Sequence, residues 1–214
     1  MIGDKLVITE YHRNAARKVM EKLEPMLAAA AGRPLAVSIA GESGSGKSEI
    51  AHCLGDNLEE HNLRYVILAQ DDYFKLPPRS NHEKRLQDIS WVGPQEVRLD
   101  LLDEHIEALK EHPEKPLEKP LVYFEENEIR TETINPGMLD VIIAEGTYTS
   151  LLDNVDLRVF IDRNYRQTKK ARLARARDPD LDFLEKVLEI EHQEISRHKA
   201  RADVIIDPPE EEKQ

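Results

Sequence analysis

One glycine-rich loop constrains this chain more than any other segment. Residues 41–48 read Gly-Glu-Ser-Gly-Ser-Gly-Lys-Ser and fit the P-loop pattern Gly-x-x-x-x-Gly-Lys-Ser in full. An apolar run of strand length, 35–40, precedes the loop, and a helical pattern, 49–61, follows it. Glycines let successive backbone N–H groups turn inward, and the helix adds the positive end of its dipole. The segment therefore predicts a cradle for the phosphates of a nucleoside triphosphate.

The lysine and the last serine of this cradle have separate predicted tasks. We expect Lys47 to reach the β- and γ-phosphates and Ser48 to coordinate Mg²⁺ through its hydroxyl. The segment as a whole is predicted to bind the nucleotide through Gly41, Glu42, Ser43, Gly44, Ser45, Gly46, Lys47, Ser48 and Glu49.

Short apolar runs alternate with helical patterns along the rest of the chain. Helical patterns cover 10–31 and 99–111, and strand-length runs cover 65–69, 139–144, 157–161 and 204–206. This alternation is typical of α/β proteins whose mainly parallel sheet carries helices on both faces. The sequence predicts one P-loop domain over 1–214, of the three-layer P-loop NTPase fold, with a five-stranded sheet.

Three further segments complete the predicted organisation. A helical lid is expected at about 165–180, and the acidic tail 208–214 is expected to be frayed. The stretch 76–94 lacks periodicity and predicts a long functional loop.

The composition bears on partners and compartment. The net charge is −12, which argues against a nucleic-acid-binding surface. Cys53 is the only cysteine, so neither an internal disulfide nor a cysteine-based zinc site is expected. No N-terminal apolar run is long enough to predict a signal peptide or a membrane span. We expect a cytoplasmic protein that acts on a small molecule, and whether it forms a homo-oligomer stays open.

Acidic residues follow two of the predicted strands. Asp71 and Asp72 come just after 65–69, and Glu145 follows 139–144. Ligands of doubly wound sheets bind beyond the carboxyl ends of the strands. Asp71 is therefore a candidate base for an attacking hydroxyl, and Asp71 and Glu145 are candidate Mg²⁺ ligands. The alternative, that these acids only end strands or cap helices, is stronger for Asp72, because adjacent residues point apart.

A cluster of cations lies within the predicted lid, at residues 169–177. Arg172 and Arg175 are three residues apart and share one helix face. We predict that these two arginines neutralise charge on the transferred phosphoryl group and that Arg177 binds the nucleotide. The alternative is a solvated basic face that pairs with the acidic helix 181–194.

Over about residues 35–206 these segments resemble the uridine kinase and phosphoribulokinase group of P-loop kinases, and uridine kinases most. The similar segments are the arginine-rich lid and residues 41–48, 66–74, 100–106, 142–146 and 202–206. The resemblance implies transfer of phosphate from ATP, with Mg²⁺, to an acceptor hydroxyl. It implies that Asp71 is the base, that Glu145 lies in the Mg²⁺ and acceptor region, and that Arg172, Arg175 and Arg177 cover the phosphates.

The acceptor side departs from the uridine kinase pattern. Where that group has Asn-Phe-Asp-His-Pro, with an aspartate that holds the ribose, residues 90–94 read Ser-Trp-Val-Gly-Pro and put Val92 at the aspartate. Glu128 stands in place of a base-contacting histidine, while Tyr123 and Arg130 match. The resemblance implies acceptor contacts from Tyr73, Tyr123 and Arg130.

The leading hypothesis is thus an ATP-dependent small-metabolite kinase, a phosphotransferase with an alcohol acceptor and an altered acceptor pocket. Three alternatives stay open: a uridine or cytidine kinase proper, a GTPase-like switch, and a degenerate kinase that binds nucleotide without catalysis. The sequence lacks the Asn-Lys-x-Asp motif that reads guanine in such switches.

Overall fold

The computed structural model describes residues 6–169, 172 and 181–212. The described part of the chain holds the helices α1 (Glu10–Ala29), α2 (Lys47–Glu60), α3 (Pro78–Gln87), α4 (Leu99–Glu111) and α5 (Leu181–Ile195). Its strands are β1 (Leu35–Gly41), β2 (Tyr65–Ala69), β3 (Leu117–Tyr123), β4 (Glu128–Ile134), β5 (Val141–Gly146), β6 (Leu157–Ile161) and β7 (Val204–Ile206).

Five of these strands form one parallel sheet in the order β2-β5-β1-β6-β7. Alternate side chains of β1 enter different cores, because successive residues of a strand face opposite sides. Val37 and Ile39 pack with α1 and α2, whereas Ala36 and Ala40 pack with α4. The predicted α/β fold, with a five-stranded parallel sheet and helices on both faces, is confirmed.

Helix α1 covers one face of the sheet beside α2. Its small and apolar residues recur at helical spacing and are buried at Ala16, Val19, Met20 and Leu23. Burying each larger side chain contributes roughly 1.5–3 kcal/mol. The helix ends at Ala29, just before Gly32, whose φ of +86° no helix interior adopts.

The prediction of a long loop at 76–94 is wrong. Helix α3 and two short 3₁₀ turns, Ile89–Trp91 and Pro94–Glu96, occupy this stretch. Periodicity does not reveal α3, because its only large apolar residue, Leu86, is 52% exposed. Polar contacts hold the helix instead: Asn81 and Arg85 both donate to the buried carboxylate of Glu96.

A β3–β4 hairpin, absent from the sequence prediction, forms a separate two-stranded antiparallel sheet. Asn127, at φ +56°, lies in its turn. The buried carboxylate of Asp72 anchors the hairpin, because it accepts hydrogen bonds from Val122 N (3.0 Å) and Lys119 Nζ (3.1 Å). This anchor brings the hairpin to the end of β2, where Asp71 lies.

The C-terminal end of the described chain contacts the domain. Glu210–Glu212 forms a 3₁₀ turn, and Glu212 accepts a hydrogen bond of 2.6 Å from Arg163 Nε. Most of the predicted lid lies outside the described residues. Within the described ranges no helix is both long and apolar enough to cross a membrane.

Candidate active site

The glycine-rich loop joins the carboxyl end of β1 to the first turn of α2. Gly44 and Gly46 have φ values of +76° and +101°, and Gly46 caps the helix. A Cβ on Gly46 would lie 2.7 Å from His12 Nε2, and one on Gly44 would lie 2.8 Å from Arg172 Cγ. Glycine is therefore required at both positions for backbone conformation and for space. The loop presents its amides together with the N-terminal end of α2.

Lys47 begins α2, and its ammonium group bends back to the loop. Nζ donates a hydrogen bond of 3.0 Å to the carbonyl oxygen of Glu42. A carbonyl is a neutral acceptor, so an anionic phosphate oxygen would be a stronger partner at the same place. The glycines with positive φ and this cation fit a triphosphate bound in the loop.

Glu145 faces the loop from the neighbouring strand. It is paired in register with Ile39 of β1 and Ala69 of β2, and its Oε1 accepts a hydrogen bond of 3.2 Å from Ser48 Oγ. Burial, and next the negative charge of Asp71, raise the pKa of Glu145 to about 7, against the opposing effects of Lys47 and Ser48. The carboxylates of Glu145 and Asp71 repel each other beside the Ser48 hydroxyl, and a bound cation would reduce this repulsion.

Gly146 allows β2 and β5 to end close together at this site. A Cβ on Gly146 would lie 2.2 Å from the Cβ of Gln70, a fully buried residue. Gln70 Oε1 also accepts a hydrogen bond of 2.6 Å from Tyr148 N. Two segments that are far apart in the sequence, Gln70-Asp71 and Glu145-Gly146, therefore pack against each other. Their carboxylates lie at the same edge of the parallel sheet.

The side chains of the adjacent Asp71 and Asp72 differ in burial, as expected for neighbouring residues that point apart. Asp72 is 2% exposed and holds the hairpin, whereas Asp71 is exposed at the end of β2. Asp71 is therefore the aspartate that is open to solvent. No group of three or more His, Cys, Asp or Glu side chains in the described ranges could hold a metal ion by itself. Mg²⁺ is commonly held by one or two protein ligands together with phosphates and water, so Ser48, Glu145 and Asp71 suffice chemically.

Arg172 is the described member of the predicted lid arginines. Its Nη1 donates to the carbonyl of Tyr165 and, at 2.6 Å, to Thr168 Oγ1. Its side chain passes over Gly44, so the structure brings it to the phosphate cradle. Arg175 and Arg177 lie outside the described residues.

The three predicted acceptor contacts differ in exposure: Tyr73 is buried, Tyr123 is half-buried and Arg130 is exposed. Tyr73 is fully buried, and its hydroxyl lies 2.9 Å from His105 Nδ1, so no acceptor can reach it in this structure. Tyr123 ends β3, and the guanidinium of Arg130 stacks 4.1 Å above its ring. Arg130 also pairs with Glu128 at 2.7 Å, in an exposed ion pair.

Val92 is 5% exposed and packs inward, so it offers nothing to a ribose. Sequence reasoning missed the polar cluster around Glu96, in which Arg85 donates to Glu96 and lies 3.4 Å from Glu191. Burial raises the pKa of Glu191, and the nearby Arg85 opposes this effect. No local motif marks these residues, because they come from three separate elements.

The loop, the sheet and the carboxylate edge define an α/β protein of the P-loop kinase class. The sequence model of the phosphoribulokinase / uridine kinase family matches residues 36–208, and the chain belongs to this family. A uridine kinase from Lactobacillus helveticus (strain DPC 4571) is 31% identical over 186 residues, which cover 81% of this chain and 86% of the relative.

Two solved structures share the fold at lower identity. Phosphoribulokinase from Rhodobacter spheroides superimposes with a TM-score of 0.62 at 12% identity, covering 82% of this chain and 70% of that one. D-glycerate 3-kinase from Cryptococcus neoformans var. grubii gives a TM-score of 0.59 at 17% identity, covering 87% of each chain. The two names refer to different acceptors, a phosphorylated sugar and a sugar acid. The shared fold therefore does not identify the acceptor of this chain.

Proposed function

We propose that this protein is an ATP-dependent kinase that transfers the γ-phosphate to a hydroxyl group of a small metabolite. The observation that carries the proposal is the contact between Ser48 and Glu145, 3.2 Å long, beside Lys47 and the exposed Asp71. Ser48 and Glu145 supply a hydroxyl and a carboxylate beside the loop, and Lys47 supplies a cation. Asp71 lies close enough for its charge to raise the pKa of Glu145. Kinases of the P-loop type need these groups there.

The nucleotide is assigned to the loop. Backbone amides of residues 41–49 hold the phosphates, and Lys47 exchanges its carbonyl partner for the β- and γ-phosphates. Ser48, Glu145 and Asp71 are the residues that would hold Mg²⁺, which when bound neutralises charge on the β- and γ-oxygens.

Asp71 is assigned the chemistry at the acceptor. Its carboxylate takes the proton of the acceptor hydroxyl while the oxygen forms its bond to the γ-phosphorus. The bond between the γ-phosphorus and the bridging oxygen breaks, and ADP leaves. Arg172, and on sequence grounds Arg175 and Arg177, neutralise charge on the phosphoryl group in transit.

The acceptor is proposed to differ from a plain nucleoside. Val92 is buried where a uridine kinase has a ribose-binding aspartate, and Glu128 replaces a base-contacting histidine and pairs with Arg130. Tyr123 and Arg130 remain candidate acceptor contacts, because both lie at the rim of the hairpin. Tyr73 is left out of the proposed pocket, since it is fully buried.

Phosphorylation of uridine or cytidine is the second candidate, favoured by the names of the curated relatives. A screen of ATP consumption separates the two. The panel holds uridine, cytidine, sugars, sugar phosphates and sugar acids, with Lys47→Ala as the blank. Consumption with a non-nucleoside, and little with uridine, supports the proposal. Preference for uridine or cytidine replaces it with the second candidate, and no consumption with any acceptor refutes both.

A further inference from the structure

The second residue of the phosphate cradle carries an unusual buried charge. Glu42 is 5% exposed, although it lies in a glycine- and serine-rich loop. Its carboxylate does not contact Lys47, which binds the carbonyl of the same residue. A buried carboxylate is stable only when each oxygen has a hydrogen-bond donor. The donors of Glu42 come from two distant parts of the chain.

Each carboxylate oxygen of Glu42 has one close partner. Oε2 accepts a hydrogen bond of 2.6 Å from the backbone N–H of Tyr165, and Oε1 lies 2.6 Å from Nδ1 of His192. With the carboxylate ionised, Nδ1 carries the proton and donates it into this bond. Both distances are those of strong, charge-assisted hydrogen bonds.

The two partners lie on either side of the lid. Tyr165 comes four residues after β6 ends, and His192 lies in the last turn of α5. The lid arginines lie between them in sequence. One carboxylate of the cradle therefore binds the chain before the arginine-rich segment 169–177 and again after it.

Further contacts connect the same flanks. Thr168 Oγ1 donates a hydrogen bond of 3.0 Å to the carbonyl of Ser43, and Arg172 donates to Thr168. The Tyr165 hydroxyl binds Glu189 of α5, and the ring of Tyr165 lies 5.7 Å from that of His192. Each flank thus contacts the other, and both join the cradle at Glu42.

We propose that Glu42 is a positioning residue, which fixes both flanks of the lid to the phosphate cradle so that Arg172 lies over the phosphates. This inference rests on the proposed kinase function. Glu42 contributes its backbone to phosphate binding, whereas its side chain acts through Tyr165 and His192. Losing the side chain should therefore slow phosphate transfer more than it weakens nucleotide binding.

The test compares Glu42→Ala with Glu42→Gln in the full chain. Alanine removes both ties. Glutamine keeps both, since its carbonyl accepts from Tyr165 N–H and its amide donates to unprotonated Nδ1 of His192. We expect Glu42→Ala to lower kcat at least tenfold, with the Kd of Mg·AMP-PNP changed less than threefold, and Glu42→Gln to stay within threefold of wild type. Equal kcat in Glu42→Ala and wild type would overturn the inference.

Hydrogen exchange provides a readout that needs no acceptor. Glu42→Ala should raise exchange at both flanks, residues 165–169 and 189–195. The control Glu185→Ala should not, because it removes an exposed ion pair with Lys169 and leaves Glu42 with both of its partners. Unchanged exchange at either flank in Glu42→Ala contradicts the tie. If Glu42→Ala does not fold, hydrogen exchange of His192→Ala at residues 189–195 shows whether the contact between Glu42 and His192 holds that flank.

The two proposals fail in different ways. A wild-type protein that transfers phosphate to no acceptor sinks the kinase function, while the exchange data still decide whether Glu42 ties the flanks. A wild-type protein that transfers phosphate, with Glu42→Ala equally fast, sinks only the positioning role. In the double variant Glu42→Ala/His192→Ala, kcat should equal that of Glu42→Ala, because the second tie is already lost. Multiplicative losses would show that the two residues act separately.

Discussion

The carboxylate of Glu96 is a buried charge that joins α3 to the turn after it. It is fully buried and accepts four hydrogen bonds, from Arg85 Nε (2.6 Å), Arg85 Nη2 (3.0 Å), Asn81 Nδ2 (2.6 Å) and Gly93 N (2.8 Å). These bonds hold α3 to the turn that follows it. Glu96→Ala removes all four and leaves the donors buried.

The stability lost in Glu96→Ala depends on the contacts that Arg85 keeps. The Arg85 side chain is 17% exposed, and its other carboxylate partner, Glu191, is 3.4 Å away. Removing one partner of a buried ion pair costs about 3–5 kcal/mol, because the remaining charge loses compensation. Glu191 keeps part of that compensation, so we expect about 3 kcal/mol. At about 2–4 °C per kcal/mol for a chain of this length, Tm should fall by roughly 6–12 °C.

Urea denaturation and thermal unfolding of wild type and variant measure this loss. The matched control is Glu128→Ala, which removes a carboxylate that is 55% exposed and pairs with Arg130. Surface pairs of this kind contribute about 0–1 kcal/mol, so the control should unfold nearly as wild type does. A loss below about 1 kcal/mol for Glu96→Ala, or an equal loss in both variants, would refute the reasoning.

Three further predictions concern the cradle and the carboxylate edge. Gly146→Ala should lose at least about 1–3 kcal/mol of stability in urea, because its Cβ would meet Gln70; unchanged stability would contradict the packing. Lys47→Ala should lower ATP affinity at least about tenfold, since one charge-assisted contact to phosphate is lost, and calorimetry showing wild-type affinity would exclude its role. In Mg²⁺-free buffer the raised pKa of Glu145, about 7, makes its ionisation costly in the folded protein. The stabilising contribution of this group is full below pH 4.5 and is lost as pH rises through 7. Glu145→Gln should therefore gain about 3 kcal/mol relative to wild type between pH 4.5 and 8, and parallel pH–stability curves would contradict this.

The sequence predicted the sheet well, because its strands are short apolar runs beside clear turn signals. β2, β6 and β7 have the predicted bounds, and β1 and β5 differ by one or two residues at their ends. β1, β5 and β6 are almost fully buried, so their apolar composition marks them in the sequence. The glycine loop was equally visible, since its spacing reflects a backbone shape that few other residues permit.

The hairpin and α3 could not be predicted in the same way. β3 contains Pro120 and the buried Lys119, which obscure its alternation. The charge of Lys119 is tolerated only because Asp72 and Glu132 lie within 3.1 Å and 2.6 Å, two partners that no local pattern reveals. α3 likewise depends on Glu96, which follows it by nine residues.

The candidate site was predicted in part for a similar reason. Asp71, Glu145 and the loop follow strand ends, and the topology of a parallel sheet brings such positions together. Tyr73 follows the same strand but turns into the core toward His105. The side-chain role proposed for Glu42 depends on Tyr165 and His192, more than a hundred residues further along the chain. Contacts between residues so far apart in the sequence are visible only in the three-dimensional structure.

The central claim is that Asp71 serves as the base in phosphate transfer from ATP to an acceptor hydroxyl. Its most direct test is the transfer of labelled γ-phosphate to the acceptor found in the screen, by wild type and Asp71→Asn. Loss of a general base lowers the rate by roughly 10²–10⁴-fold. We expect Asp71→Asn to show such a loss and a much smaller loss of Mg·ATP affinity, because Lys47, Ser48 and Glu145 keep their contacts. Transfer by Asp71→Asn at the wild-type rate would contradict the claim.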